Sequence, residues 1–116
     1  MKPKSPPERK KVEFLGSSLA DVRGFPDDAQ DDLGHQLDSV QMGAEPADWA
    51  PMKTVGAGVK ELRYQDQQGW FRVVYIATYK DAVYVLHAFQ KKSNQTSPHD
   101  IDVAKKRLSD LERKQK

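Results

Sequence analysis

Polar and apolar positions alternate over Lys11–Leu15, and Gly16 ends the run, which predicts a short strand. Ser18 followed by Asp21 has the spacing of a capping box, predicting a short helix over Leu19, Ala20 and Val22 that closes at Gly24. Beyond Pro26, Ala29, Leu33, Leu37 and Val40 fall at i, i+4, i+8 and i+11, the single apolar stripe of a second helix. Asp27, Asp28, Asp31 and Asp32 crowd its first turns, where the positive end of the helix dipole favours them without any metal. Gly43 supplies its C-terminal stop.

Residues 44–58 are rich in Gly, Pro and small residues around Trp49 and Met52, and predict a loop. Three apolar runs follow: Val59–Tyr64, Trp70–Ala77 and Val83–Phe89. The segments between them, Gln65 to Gly69 and Thr78 to Ala82, are of hairpin length, so a three-stranded antiparallel meander is expected. After the polar stretch from Lys91, Ser97 stands as a helix cap, Pro98 as first helical residue and Asp100 three positions beyond the cap. Ile101, Ala104, Leu108 and Leu111 form the apolar face of this last helix. Lys105, Lys106, Arg107, Arg113 and Lys114 lie elsewhere on it or at its favourable C-terminal end. The order strand, two helices, three strands, helix predicts an α+β domain with the helices packed on one sheet face. Residues 1–10 predict a flexible arm and 11–116 a single domain.

Composition narrows the chemistry. With 116 residues there is no room for a separate cofactor-binding lobe, and no cofactor is expected. Cysteine is absent, which removes disulfides, thiol catalysis and cysteine-ligated zinc. His35, His87 and His99 lie in different elements without metal-ligand spacing, so no metal site is expected. No apolar run approaches the roughly 20 residues of a membrane span, and no secretory signal opens the chain, so a cytoplasmic location is expected. Charge is uneven: residues 1–58 hold 7 Lys/Arg against 10 Asp/Glu, whereas residues 59–116 hold 12 against 7. A basic half on a small domain points toward a polyanionic partner.

The informative positions are charges inside apolar strands. Arg72 stands in the middle of Trp70-Phe71-Arg72-Val73-Val74-Tyr75-Ile76. A guanidinium is not buried without a partner, so either the sheet face is open there or a carboxylate such as Glu61 pairs with it. Arg63 raises the same question, with Glu61 or Asp66 as acids in reach, and so does His87 within Val85-Leu86-His87-Ala88-Phe89. Lys91-Lys92 follows at once. Because the three strands are adjacent, these cations are expected to converge on one region suited to a phosphate whose charge grows in a transition state. A histidine there can exchange protons.

Gly58-Val59-Lys60-Glu61-Leu62-Arg63, Gly69-Trp70-Phe71-Arg72-Val73-Val74-Tyr75, Val85 to Lys92 and Ile101 to Arg107 together resemble the phage-related, HigB-like toxins of the RelE/ParE superfamily. The resemblance spans residues 11–111 and rests on the order and spacing of these segments. It implies a type II toxin held inactive by a helix-turn-helix antitoxin, with ribosome and mRNA as further partners and messenger cleavage by attack of a 2′-hydroxyl on its phosphate. By that resemblance Arg72, His87, Lys91 and Lys92 are the catalytic candidates, with Arg63, Thr96 and His99 as substrate-binding candidates. The family's alternatives are a ParE-like, non-catalytic inhibitor of DNA gyrase and an inactive prophage interaction module. Two departures stand out: no tyrosine follows Tyr84, which shifts proton transfer toward histidine, and Ser97 separates Thr96 from Pro98, a threonine and proline adjacent in many relatives.

Overall fold

The computed structural model describes residues 9–93 and 95–115. Its elements are β1 (Lys11–Phe14), α1 (Ser18–Arg23), α2 (Asp27–Gln41), β2 (Trp49–Pro51), β3 (Val59–Asp66), β4 (Gly69–Ile76), β5 (Ala82–Lys91) and α3 (Pro98–Lys114). They build one five-stranded sheet in the order β1-β5-β4-β3-β2. The expected meander is its centre: β3 pairs antiparallel with β4, and β4 with β5. Two edge strands enlarge it. β1 runs parallel to β5, and the segment expected as loop contributes β2, antiparallel to β3. Three residues ending in Pro51 carry no readable period, and a short, proline-bearing strand is what an edge tolerates.

The expectation that all helices share one sheet face is overturned. Phe25 with Ala29, Leu33 and Val40 of α2 packs on Leu62, Phe71, Val73, Tyr75, Val83 and Val85. Ala104, Leu108 and Leu111 of α3 pack on the opposite face, against Val59, Val74, Ile76, Leu86 and Phe89. The central strands require this, because β4 is buried from Phe71 to Ile76 and β5 from Ala82 to Phe89. A strand covered on both sides is a continuous apolar run, and one helical layer would leave half of it in water.

Local signals account for the element ends. Gly43, at φ +79°, closes α2: its N–H donates to Val40 O at 3.0 Å and the Ala44 N–H to Ser39 O at 2.8 Å. α3 begins on Ser97, whose Oγ accepts the Asp100 N–H at 3.2 Å. At α1 the boundary differs by one residue. Ser17 is the cap residue and its Oγ bonds the Asp21 carboxylate, while Ser18 is buried. The expected flexible arm lies outside the described residues up to position 8. Within it, Lys10 Nζ donates to Ala77 O and Tyr79 O at 2.9 and 2.7 Å. No helix among the described residues is long and apolar enough to cross a membrane.

The β3–β4 turn is tighter than the five-residue linker expected, because Asp66 pairs with Gly69 and leaves only Gln67 and Gln68 between them. Asp66 Oδ1 accepts the Gln68 N–H at 2.7 Å, and Gly69 takes φ +124°. A side chain at 69 would stand 2.5 Å from the Lys91 carbonyl oxygen. Gly69→Ala is therefore expected to cost about 1–3 kcal/mol, from backbone strain and from pushing the end of β5 away. A lowered urea midpoint with unchanged slope would register it.

Candidate functional site

Strand register decides which charged side chains meet. Arg63, Arg72 and Phe89 are cross-strand neighbours, as are Glu61, Val74 and His87, and Gln65, Trp70 and Lys91. Val74 and Phe89 belong to the core beneath α3, so Glu61, Arg63, Arg72, His87 and Lys91 rise from that same face. His87 arrives there through a bulge. Val74 pairs with His87 but Tyr75 with Val85, leaving Leu86 as the extra residue. Strict alternation would have set His87 on the α2 face with Val83 and Val85.

Each cation of this face that β3, β4 or β5 contributes lies beside an acid. Arg72 is 2% exposed, donates from Nη1 to Glu61 Oε1 at 2.7 Å and sits 5.4 Å from the Trp70 ring centroid. Glu61 is thus the carboxylate at Arg72. Arg63 bonds neither Glu61 nor Asp66: its Nε and Nη2 donate to Asp48 Oδ1 at 3.1 and 2.9 Å. Gln36 of α2 braces this pair, donating to Arg63 O and accepting the Asp48 N–H. Asp48 precedes β2, the strand the sequence pattern hid, so its meeting with Arg63 was hidden too.

The densest cluster joins the end of β5 to the start of α3. His87, 8% exposed and stacked on Phe89 with ring centroids 4.9 Å apart, bonds through Nε2 to Asp100 Oδ1 at 2.8 Å. Asp100, 7% exposed, also accepts Ser97 Oγ at 2.7 Å and pairs with Lys91 Nζ at 3.0 Å, both on Oδ2. Arg107 Nη1 donates to Leu86 O at 3.0 Å and lies 3.5 Å from His87 Nδ1. A guanidinium only donates, so one arrangement satisfies both ring nitrogens: the proton on Nε2 toward Asp100, the lone pair on Nδ1 toward Arg107. Lys92 and His99 are exposed and Thr96 is half-buried, none with a side-chain partner among the described residues.

Asp100 and Arg107 belong to the cluster although the sequence reading did not single them out as site residues. Their signal was present: Asp100, Ala104, Arg107, Leu108 and Leu111 fall at i, i+4, i+7, i+8 and i+11, so both polar residues lie within the stripe that α3 turns to the sheet. A carboxylate in that stripe needs donors.

Burial pushes the Asp100 carboxyl up, but hydrogen bonds from His87, Ser97 and Lys91 outweigh it and hold the group below its ordinary value of 3.8. A carboxyl lowered on folding stabilises the protein above its unfolded value, and that stabilisation fades as pH falls through the folded one. Asp100→Asn is accordingly expected to flatten the acid limb of stability, measured as a smaller drop in urea midpoint between about pH 6 and about pH 3.

A single five-stranded sheet with helices on both faces, carrying a buried histidine–aspartate pair flanked by lysine and arginine, defines a small α+β domain. A family model described as phage derived protein Gp49-like (DUF891) matches residues 20–109, covering both helical layers and the cluster. The chain belongs to this Gp49-like family, which is associated with toxin–antitoxin systems. Among curated proteins nothing matches the chain.

Proposed function

We propose that the chain is the toxin of a type II toxin–antitoxin system and cleaves messenger RNA on the ribosome, by the chemistry the HigB-like resemblance implies. The observation that supports this best is the convergence of His87, Asp100, Lys91 and Arg107 at one end of the sheet. An open depression of about 430 Å³ between α1 and β5 borders His87, with Asp21, Phe25 and Gln90 among its walls. In the proposed reaction a ribose 2′-oxygen bonds to the adjacent phosphorus and the 5′-oxygen departs, leaving a 2′,3′-cyclic phosphate and a 5′-hydroxyl. His87 accepts the 2′-hydroxyl proton, and Asp100 steadies the imidazolium that results. Lys91 and Lys92 stabilise the phosphorane charge and the departing 5′-oxygen, which takes its proton from water, an electrostatic role that ammonium groups fill without a metal. By the same resemblance Arg63, Thr96 and His99 serve as substrate contacts. Arg72, buried against Glu61, acts from beneath by supporting the strands that carry the others.

The competing reading is a non-catalytic inhibitor of DNA gyrase, favoured by the burial of His87 and Arg72, which leaves little of either for a substrate to touch. Expression without the antitoxin separates the readings. Growth arrest with cuts mapped inside translated messages, carrying cyclic phosphate and 5′-hydroxyl ends, supports the nuclease. Arrest with DNA damage and intact messages supports the inhibitor, and unimpaired growth at high expression supports an inactive module.

RNA affinity of the purified protein is a second check. It is expected to fall steeply with added salt, because lysine and arginine contacts to phosphate release counterions. Lys92→Ala is expected to lower the salt slope by about one, a change read from log affinity against log salt. An affinity flat with salt contradicts an RNA-binding surface.

A further inference from the structure

We infer that Arg107 is a positioning residue that sets how His87 is presented. The inference rests on reading His87 as the proton-transfer group, and the contacts themselves carry it. Arg107 Nη1 donates to Leu86 O at 3.0 Å, and Leu86 is the residue inserted at the β5 bulge. That bulge turns His87 from the α2 face to the α3 face, so the guanidinium clamps the irregularity on which the site depends. The pairing of β1 with β5 ends at Phe14 and Val85, one residue before Leu86. Arg107 thus supplies a donor just where strand pairing on that edge stops.

The same Nη1 lies 3.5 Å from His87 Nδ1. This is long for a hydrogen bond, so it favours a bare Nδ1 electrostatically, and a substrate hydroxyl reaches that lone pair by displacing the contact. Asp100 fixes the ring from its other nitrogen, and the two contacts together leave the imidazole one orientation.

The far side of the guanidinium is built to hold it there. Nη2 donates to Ser17 Oγ at 3.2 Å, and Ser17 Oγ in turn donates to Asp21 Oδ2 at 2.8 Å. Gly16, at φ +56°, lies flat against Arg107: a side chain at 16 would come within 2.5 Å of Nε. The glycine that ends β1 thereby also makes room for the guanidinium. The loop before α1, the bulge of β5 and the third turn of α3 meet on this one side chain.

The test uses the full chain with Arg107→Met, which keeps the length and loses the donors, and with Arg107→Lys and Ser17→Ala. ¹⁵N spectra of the His87 ring are expected to show Nε2–H and a bare Nδ1 in the wild type. In Arg107→Met the Nδ1 signal is expected to move, and in Ser17→Ala to move less in the same direction. On messenger RNA held in translating ribosomes, Arg107→Met is expected to lower kcat about 10–100-fold with KM little changed, the pattern of a displaced group, and Arg107→Lys to restore part of the loss. A proton on Nδ1 in the wild type, or ring signals untouched in a folded Arg107→Met, overturns the inference. A raised KM with unchanged kcat also overturns it and makes Arg107 a phosphate contact. If Arg107→Met does not fold, Ser17→Ala decides alone by its ring signals. Should the wild type cut no message on translating ribosomes while the ring signals behave as expected, the nuclease reading fails and the positioning of His87 stands.

Discussion

Arg72→Met is expected to destabilise the domain by about 3–5 kcal/mol, because it strands the Glu61 carboxylate in the core. Glu61 is 3% exposed, and its Oε2 has no hydrogen-bond partner among the described residues, so the ion pair with Arg72 is central to its compensation. Glu61→Leu alone removes the carboxylate that faces the guanidinium and is expected to destabilise the domain as well. The double variant, Arg72→Met with Glu61→Leu, is expected to recover most of the loss, since a buried ion pair replaced by well-packed apolar groups is often neutral. Urea unfolding of the four proteins gives the coupling energy. The cycle also separates two meanings of a lost toxic effect. A folded double variant that still arrests growth makes Arg72 a structural residue. One that is folded but inert makes its charge part of the chemistry. A single substitution cannot distinguish these, because loss of fold and loss of function coincide.

The second large effect concerns the His87–Asp100 pair. His87→Gln keeps much of the side-chain shape and removes proton transfer, so RNA cleavage is expected to fall about 10²–10⁴-fold. Asp100→Asn keeps an acceptor at Oδ1 but no longer steadies an imidazolium, and loses the charge that holds Lys91, so a loss of comparable order is expected. Residues that act as a unit are not additive. The double variant is therefore expected to be little worse than His87→Gln alone, measured as single-turnover cleavage rates. Fully multiplied losses would show that Asp100 serves Lys91 and the Ser97 cap independently of His87.

The apolar periods located α2, α3, β1 and the three central strands, and cap spacing located α1, since burial of one stripe or one face is a local property of spacing. The same pattern carries a sign of the layering. Trp70 to Ile76 is nearly continuously apolar, the mark of a strand covered on both faces, and that alone argues for helices on two sides. β2 had no comparable signal, being three residues at an edge, and Asp48 was invisible as the partner of Arg63 for that reason. Glu61 was named as an acid for Arg72 because the two strands had to be neighbours, and it fills that place. Asp100 was seen as part of a helix start, and its deeper role depends on which way that helix start faces.

Element type, the stops at Gly16 and Gly43, and the cap at Ser97 follow from interactions within a few residues, so the order of amino acids is enough to specify them. The company His87 keeps is of another kind. One inserted residue, Leu86, reverses its face, and the choice between alternation and bulge is made by long-range pairing with β4 and by a guanidinium 21 positions along the chain. Likewise the strand cations do rise from one face, but the acids beside them come from β3, the segment before β2, and α3. Those meetings depend on where distant segments dock, and packing of the whole sheet between its two helical layers selects them.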